Sequence, residues 1–218
     1  MRHVFPLILV VLFVATTTRA SGEDSPGGRL LLLAHRQDLQ SLLPTGAQLL
    51  HDPIAIERFL EAVDGSPPKW VDLHGPHGSH QDERLFALNR ERDRRRAGRE
   101  ALTQRITFLW QGRLSLYHPD RGGFLVAIGP EVIPTKWGLI RFKAEGLPAE
   151  LVAVPPPASR DSLRARVARD ESITVIVAMT GRLVPEESIL YDFAHEDPGQ
   201  GMVMPVVRVE RIDYFLSP

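Results

Sequence analysis

The spacing of apolar residues changes near Arg105, and this change divides the chain into two parts. Before it, leucine, isoleucine and valine recur every three or four residues, which is the spacing of an amphipathic helix. After it, apolar and polar residues alternate in short runs bounded by glycine and proline, which is typical of strands. The pattern predicts a helical segment over residues 21–105 and a β domain over residues 106–218.

Three helices are predicted in the first part. The first spans Arg29–Leu43, where leucines lie near helical spacing. The second begins at Asp52, because aspartate caps a helix and Pro53 suits its first turn, and it ends at Gly65. The third spans residues 82–105 and has apolar residues at its two ends and a polar middle. These helices make up the predicted N-terminal helical segment.

The second part predicts three main strands and a short edge-like strand, then one helix and then three further strands. We expect strands over 107–117, 124–128, 137–143, 150–154, 173–183, 188–195 and 202–215, and a helix over 159–169. Three strands, a helix and closing strands is the element order of a five-stranded OB-like barrel. The expected fold is therefore α+β: the helical segment, then an OB-like, mostly antiparallel small β-barrel with one inserted helix. A helix-capped antiparallel sheet is the alternative.

The first twenty residues have the pattern of a secretory signal peptide. Arg2 and His3 precede an apolar run over residues 4–15, and the small residues Thr18 and Ala20 occupy the cleavage positions. The run is shorter than the roughly 20 residues that a bilayer core requires. We expect cleavage near Ala20, a periplasmic or secreted location and no transmembrane segment in the mature chain. An uncleaved N-terminal anchor is the alternative.

Composition narrows the class of protein. Removing Arg2 and Arg19 from the 26 basic residues leaves 24 against 27 acidic ones, so the mature chain has no electrostatic reason to bind nucleic acid. There is no cysteine, which excludes disulfides, a thiol nucleophile and thiolate metal ligands. The motifs G-x-S-x-G, G-x-x-x-x-G-K-[ST], G-x-G-x-x-G and H-E-x-x-H do not occur. These observations favour a non-enzymatic binding protein.

A histidine-rich loop is the candidate metal site. His74, His77 and His80 form the pattern H-x-x-H-x-x-H, and Asp72 and Asp82 flank it. Imidazole is a preferred ligand of Zn, Cu and Ni, so one of these metals is the candidate cofactor. The alternative is a loop that is merely polar, because short histidine-rich tracts are only compositional signals.

The third predicted helix is strongly basic. Residues 84–105 carry eight arginines against three acidic residues, and we take Arg94, Arg95 and Arg96 as candidates for binding an acidic partner. A solvated helix laced with ion pairs is the alternative. In the barrel, Trp137 and Arg141 are candidates for a ligand-facing surface, with a core position as the alternative for the tryptophan.

These patterns predict an exported, non-enzymatic protein that binds a protein or cell-envelope partner through a barrel face and the basic helix. A metal-binding protein that uses the histidine loop is the second hypothesis. A hydrolase with a site near His195 is the third. Asp192 and His195 fall on opposite faces of the predicted strand, so regular geometry does not make them a pair.

Overall fold

A computed structural model describes residues 28–33, 38–75, 80–129, 131–194 and 199–216. In these ranges the strands are β1 (Gly28–Leu32), β2 (Gln48–Leu50), β3 (Ile106–His118), β4 (Gly123–Ile128), β5 (Ile133–Thr135), β6 (Gly138–Ile140), β7 (Lys143–Glu145), β8 (Val152–Val154), β9 (Thr174–Leu183), β10 (Ile189–Phe193) and β11 (Gly201–Leu216). The helices are α1 (Leu39–Leu42), α2 (Pro53–Asp64), α3 (Trp70–His74), α4 (Gln81–Arg96) and α5 (Pro157–Ala168). None of these helices has the length and apolar character needed to cross a membrane.

Six strands close into a barrel in the order β1, β8, β4, β3, β9, β11 and back to β1. Antiparallel pairing runs from β8 to β11, and β1 closes the ring by lying parallel to both of its neighbours. The fold is α+β with a barrel. The sheet is mixed: β2, β6 and β7 also form parallel pairs, whereas the longest pairings, β3 with β9 and β9 with β11, are antiparallel. The OB-like form is not confirmed, since an OB-fold has five strands.

The barrel interior is built by alternation along its two central strands. Phe108 and Trp110 of β3 are buried and lie opposite Met179 and Val177 of β9. All four side chains belong to the main hydrophobic core. Because side chains of a strand point alternately to its two faces, the period-two pattern of 107–117 predicted this strand correctly.

The predicted helix over 29–43 is wrong in its first half, where the chain forms β1. Leu30 is buried in the main core between β8 and β11, whereas Leu33 and Leu39 belong to a second apolar cluster. Burial against distant strands therefore overrides the helix-like leucine spacing. With β1 and β2 in the sheet, the segment over 21–105 is not purely helical.

Other predicted elements agree with the structure. The α2 helix is capped by Asp52, whose side chain accepts a hydrogen bond from the Ala55 N–H at 2.8 Å. The inserted helix is α5, between β8 and β9. The basic helix ends early, as α4, at Arg96, and a short 3₁₀ turn follows over Glu100–Thr103.

A second unit, here called the small sheet, lies beside the barrel. Its strands pair in the order β5, β6, β11 and β10, and β11 contributes only its first residues. Its inner side chains are buried, among them Ile140, Val203 and Tyr191. Helix α4 lies against β10 and helix α2 lies against β5. The helices therefore cover one face of the small sheet and leave its other face open.

Candidate functional site

The uncovered face of the small sheet, here called the outer face, is the candidate site. Every second residue of each strand points to it, and the pairing aligns them in two rows across the strands. The outer face is mostly apolar with one arginine and one aspartate. One paired row consists of Pro134, Leu139, Met202 and Asp192; in the second, Met204 pairs with Leu190, and Val132 and Arg141 lie just beyond β5 and β6 and line the same cleft. All eight residues are exposed or half-buried.

A cleft of about 570 Å³ lies on the outer face. Met202 and Met204 form part of its wall, and flexible, polarizable methionine side chains adapt to apolar groups of different shapes. Apolar walls with a few well-placed polar groups are the usual composition of a binding cleft. The cleft is thus chemically suited to hold apolar side chains of a ligand.

Two opposite charges stand at this cleft. Arg141 is exposed, and no described residue places a carboxylate within ion-pair distance of it. Asp192 is half-buried, and its Oδ1 accepts a hydrogen bond from the Phe193 N–H at 2.8 Å. Arg141 and the second carboxylate oxygen of Asp192 are therefore available to a ligand that carries complementary charges.

Beneath the small sheet lies a buried cluster of five polar residues, here called the Asp64 cluster. Asp64 Oδ2 accepts hydrogen bonds from Arg92 Nη1 at 2.6 Å, from Arg96 Nη1 at 3.2 Å and from the Tyr191 hydroxyl. Arg96 Nε also donates to Ser188 Oγ at 3.1 Å. Each member is at most 4% exposed, so the cluster joins α2, α4 and β10 inside the protein.

Burial and neighbouring charges shift the pKa of two members of the Asp64 cluster, Tyr191 and Arg92. Burial, and then the carboxylate of Asp64, raise the pKa of Tyr191 far above its ordinary value, so its hydroxyl remains a donor. Burial lowers the pKa of Arg92, but Tyr191 and Asp64 outweigh burial and raise it. The Arg92 guanidinium also lies 4.9 Å from the ring centre of Tyr191 and 5.9 Å from that of Trp137. These contacts fit a structural role for the Asp64 cluster.

Helix α4 also covers the free edge of β10. Asn89 Oδ1 accepts the Tyr191 N–H at 2.9 Å, and Asn89 Nδ2 donates to the Tyr191 carbonyl at 2.9 Å. Two turns later, Arg96 Nη2 donates to the Ile189 carbonyl at 2.9 Å. An open strand edge invites pairing with another chain, and these contacts block it. The small sheet can therefore meet a partner through its outer face rather than through this edge.

The five predicted binding residues separate into two groups. Arg94, Arg95 and Arg141 are exposed. Arg96 is 1% exposed and Trp137 is 0% exposed, so neither is accessible to a partner and the prediction for these two is corrected. Arg96 is held by the Asp64 cluster, and Trp137 takes the core position that was its alternative.

The predicted metal site is described only in part. His74 is half-buried, with its ring 4.5 Å from the ring of Phe193, and His80 is exposed, with Nδ1 3.0 Å from Glu83 Oε2. His77 lies outside the described residues. Among the described residues, no group of three or more His, Asp or Glu side chains could hold a metal ion. Binding of Zn, Cu or Ni by the full set of three histidines stays a prediction.

Two further expectations fall on residues that the structure does not describe. His195, the centre of the hydrolase hypothesis, lies outside the described residues, and Asp192 lies on the outer face. The signal peptide over residues 1–20 is also outside them, so the periplasmic or secreted location stays a prediction.

Sequence reasoning missed both the outer face and the Asp64 cluster. The sequence shows that Met202 and Met204 alternate with Val203, but it does not show which side of the strand the helices cover. The spacing of Arg92 and Arg96, four residues apart on one helix face, was the available signal for the cluster. Their acceptor, Asp64, is distant in sequence, so no local pattern could supply it.

The chain matches no known protein family, and no curated protein or solved structure is significantly similar to it.

Proposed function

We propose that this protein is a non-enzymatic binding protein whose outer face holds an extended, apolar segment of a partner protein. The observation that carries the proposal is the open cleft of about 570 Å³ on the small sheet, where two methionines lie between an available arginine and an aspartate. Methionine and arginine are both enriched in protein–protein interfaces.

The dimensions of the small sheet favour an extended segment. Four strands spaced about 4.8 Å apart span roughly 14 Å, which an extended chain covers with four or five residues. Apolar side chains of that segment fill the cleft, an acidic group meets Arg141, and a basic group meets Asp192. Charge at both positions would fix the direction in which the segment binds.

The partner belongs to the compartment that the N-terminal pattern predicts, the periplasm or the exterior, and is a protein of the cell envelope or an exported protein. Arg94 and Arg95 on α4 supply a second, peripheral contact to acidic groups of this partner. Nucleic acid is not the proposed ligand, because the chain has 26 basic against 27 acidic residues. We also propose that the barrel is OB-like in form, as the predicted order of strands, helix and closing strands indicates.

Selection of short random peptides displayed on phage, with the full chain as bait, tests this function. A charge swap, Arg141→Asp with Asp192→Arg, keeps the net charge and reverses both contacts. We expect the selected peptides to bind the swapped protein at least tenfold more weakly, a change of about 1.4 kcal/mol.

The matched control is a second charge swap, Arg113→Asp with Asp120→Arg, at exposed positions in β3 and in the turn after it. Peptide affinity should stay within twofold in this control. Peptides that bind both swapped proteins as well as the original chain, or a selection that enriches none, would contradict the proposal.

A further inference from the structure

The arginines on α5, just after it and in the turn between β3 and β4 differ in whether they have a partner. Some are held in ion pairs with N–O distances of 3.7 Å or less: Arg121 with Glu150, and Arg166 and Arg169 with Glu171. The guanidinium groups of Arg160 and Arg164 have neither an ion pair nor a hydrogen bond to any residue that the structure describes. Because these two arginines lie four residues apart on one helix face, their like charges repel each other without a counter-charge beside them.

The turn between β3 and β4 fixes the position of the Arg160 guanidinium. Gly122 has φ of 61°, and the position that a Cβ atom on it would occupy lies 3.7 Å from Nη2 and 4.0 Å from Nη1 of Arg160. Of the three guanidinium nitrogens, only Nε is buried without a partner. Both Nη groups of Arg160 are therefore open to solvent and can donate to a ligand.

Tyr117 fixes the second guanidinium at the same end of the hairpin. The Cζ atom of Arg164 lies 4.5 Å from the ring centre of Tyr117, and Arg164 is exposed. Tyr117 lies near the end of β3 and Gly122 directly precedes β4, so both arginines approach the same turn. A cation–π contact holds a guanidinium without using its N–H donors. The two side chains, here called the arginine pair, are thus positioned by contacts that leave their outward donors unused.

We propose that the arginine pair binds a small, soluble phosphate monoester in its dianionic form. Each guanidinium presents N–H donors in a fork that matches two oxygens of a phosphate. A phosphate monoester has three terminal oxygens and close to two negative charges near neutral pH, which is enough for two guanidinium groups. A carboxylate has two oxygens and one charge, so it satisfies only one of the two arginines.

The surroundings favour a small ligand over an anionic membrane surface. Asp120 in the turn and Asp161 on α5 are exposed, and neither forms an ion pair with a described residue. Their charges repel an extended anionic surface, whereas a single phosphate group can contact the two guanidinium groups alone. The site contains no residue of the outer face, so it is independent of the proposed peptide binding.

The probe is methyl phosphate, titrated into the full ¹⁵N-labelled chain at about pH 7.5, where a phosphate monoester is mainly a dianion. Sodium chloride keeps the ionic strength constant, and NMR follows the backbone amide of Gly122 and the Nε–H of Arg160. Both signals should shift and saturate with a dissociation constant of about 1 mM, as two charge-assisted contacts would give. Dimethyl phosphate, which is a monoanion, should bind at least about fivefold more weakly.

Two double variants remove the same charge from the same region of the chain. Arg160→Gln with Arg164→Gln should weaken methyl phosphate binding at least about tenfold, measured at the Gly122 amide. Arg166→Gln with Arg169→Gln is the matched control and should leave the affinity within about twofold, because those arginines already pair with Glu171. Arg164→Lys keeps the charge but not the fork, and should weaken binding about threefold.

Four results would overturn the inference: signals that methyl phosphate leaves unmoved, equal affinity for dimethyl phosphate, equal weakening in the two double variants, or unchanged affinity in Arg164→Lys. Equal weakening in particular would mean that anions are attracted by the overall charge of this region rather than by the arginine pair. Near-ultraviolet circular dichroism shows that each variant is folded before its binding is compared.

Discussion

At the scale of single residues, Asp64 is the centre of the buried polar contacts. One of its oxygens accepts hydrogen bonds from Arg92, Arg96 and Tyr191, and all four side chains are buried. The second carboxylate near this cluster, Asp93, pairs with Arg96 from a position where its side chain is 45% exposed. Among the described residues, Asp64 is therefore the one buried carboxylate that pairs with both guanidinium groups.

Asp64→Asn keeps the shape of the side chain and removes its charge. Two buried guanidinium groups then lose their internal counter-charge, and we expect the free energy of unfolding to fall by about 3–5 kcal/mol. Urea unfolding measures this. Asp93→Asn is the matched control and should cost at most about 1 kcal/mol, because the Asp93 side chain is 45% exposed and Arg96 keeps its ion pair with Asp64. Equal losses in both variants would show that the buried charge is unimportant.

Tyr214 makes stability depend on pH in the alkaline range. It is 1% exposed, and burial raises its pKa to about 12, whereas an unfolded tyrosine titrates near pH 10. Its contribution is complete below about pH 10 and is lost as the pH rises toward 12, because unfolding then releases a proton. Urea unfolding at several pH values between about 10 and 12 should show that the free energy of unfolding falls less steeply with pH in Tyr214→Phe than in the original chain. Parallel pH profiles for the two proteins would contradict this.

At the scale of elements, the contact between α4 and β10 determines which surface remains for binding. Asn89 takes the place of a neighbouring strand for Tyr191 by both donating and accepting. Asn89→Ala removes these bonds, and we expect hydrogen exchange of the Tyr191 amide to accelerate about tenfold, equivalent to about 1.4 kcal/mol.

The neighbouring Arg90→Ala is the control for this prediction, because Arg90 is exposed and its guanidinium lies over Phe86 instead. Exchange of the Tyr191 amide should be the same in this variant as in the original chain. If Asn89→Ala leaves the amide equally protected, the asparagine does not cap the edge of β10.

Elements with local signals were predictable, and elements that depend on distant contacts were not. Helix α2 has its capping aspartate before it and Gly65, with φ of 91°, after it, and both signals are visible in the sequence. Strand β1 has no comparable signal, because its leucine spacing fits a helix or a strand. Pairing with β8 and β11 selects the strand. The outer face could not be predicted for a related reason, since its exposure depends on where α2 and α4 pack against the small sheet.

At the scale of the whole molecule, the barrel closes only through its first described strand. Leu30 of β1 is 2% exposed, whereas Leu32 of the same strand is 65% exposed. Leu30→Ala should lower the free energy of unfolding by about 2–5 kcal/mol, because it leaves a cavity at the closure. Leu32→Ala should change it by no more than about 0.5 kcal/mol. Similar effects of the two substitutions on urea unfolding would mean that β1 does not close the barrel in solution.

The whole molecule thus combines a barrel, a helical layer and a small sheet with one open face, and the proposed function belongs to that face. The chain has four methionines, and the NMR signals of their methyl groups can show directly whether a ligand binds at the outer face. Met202 and Met204 lie on the outer face, whereas Met179 is 0% exposed in the core and serves as an internal control.

The decisive measurement is an NMR titration of the ¹³C-methyl-methionine-labelled chain with the tightest peptide selected on it. Binding at the outer face should shift the methyl signals of Met202 and Met204 and leave that of Met179 in place. A bound peptide that leaves both outer-face signals unmoved would contradict the proposal that this face is the binding surface.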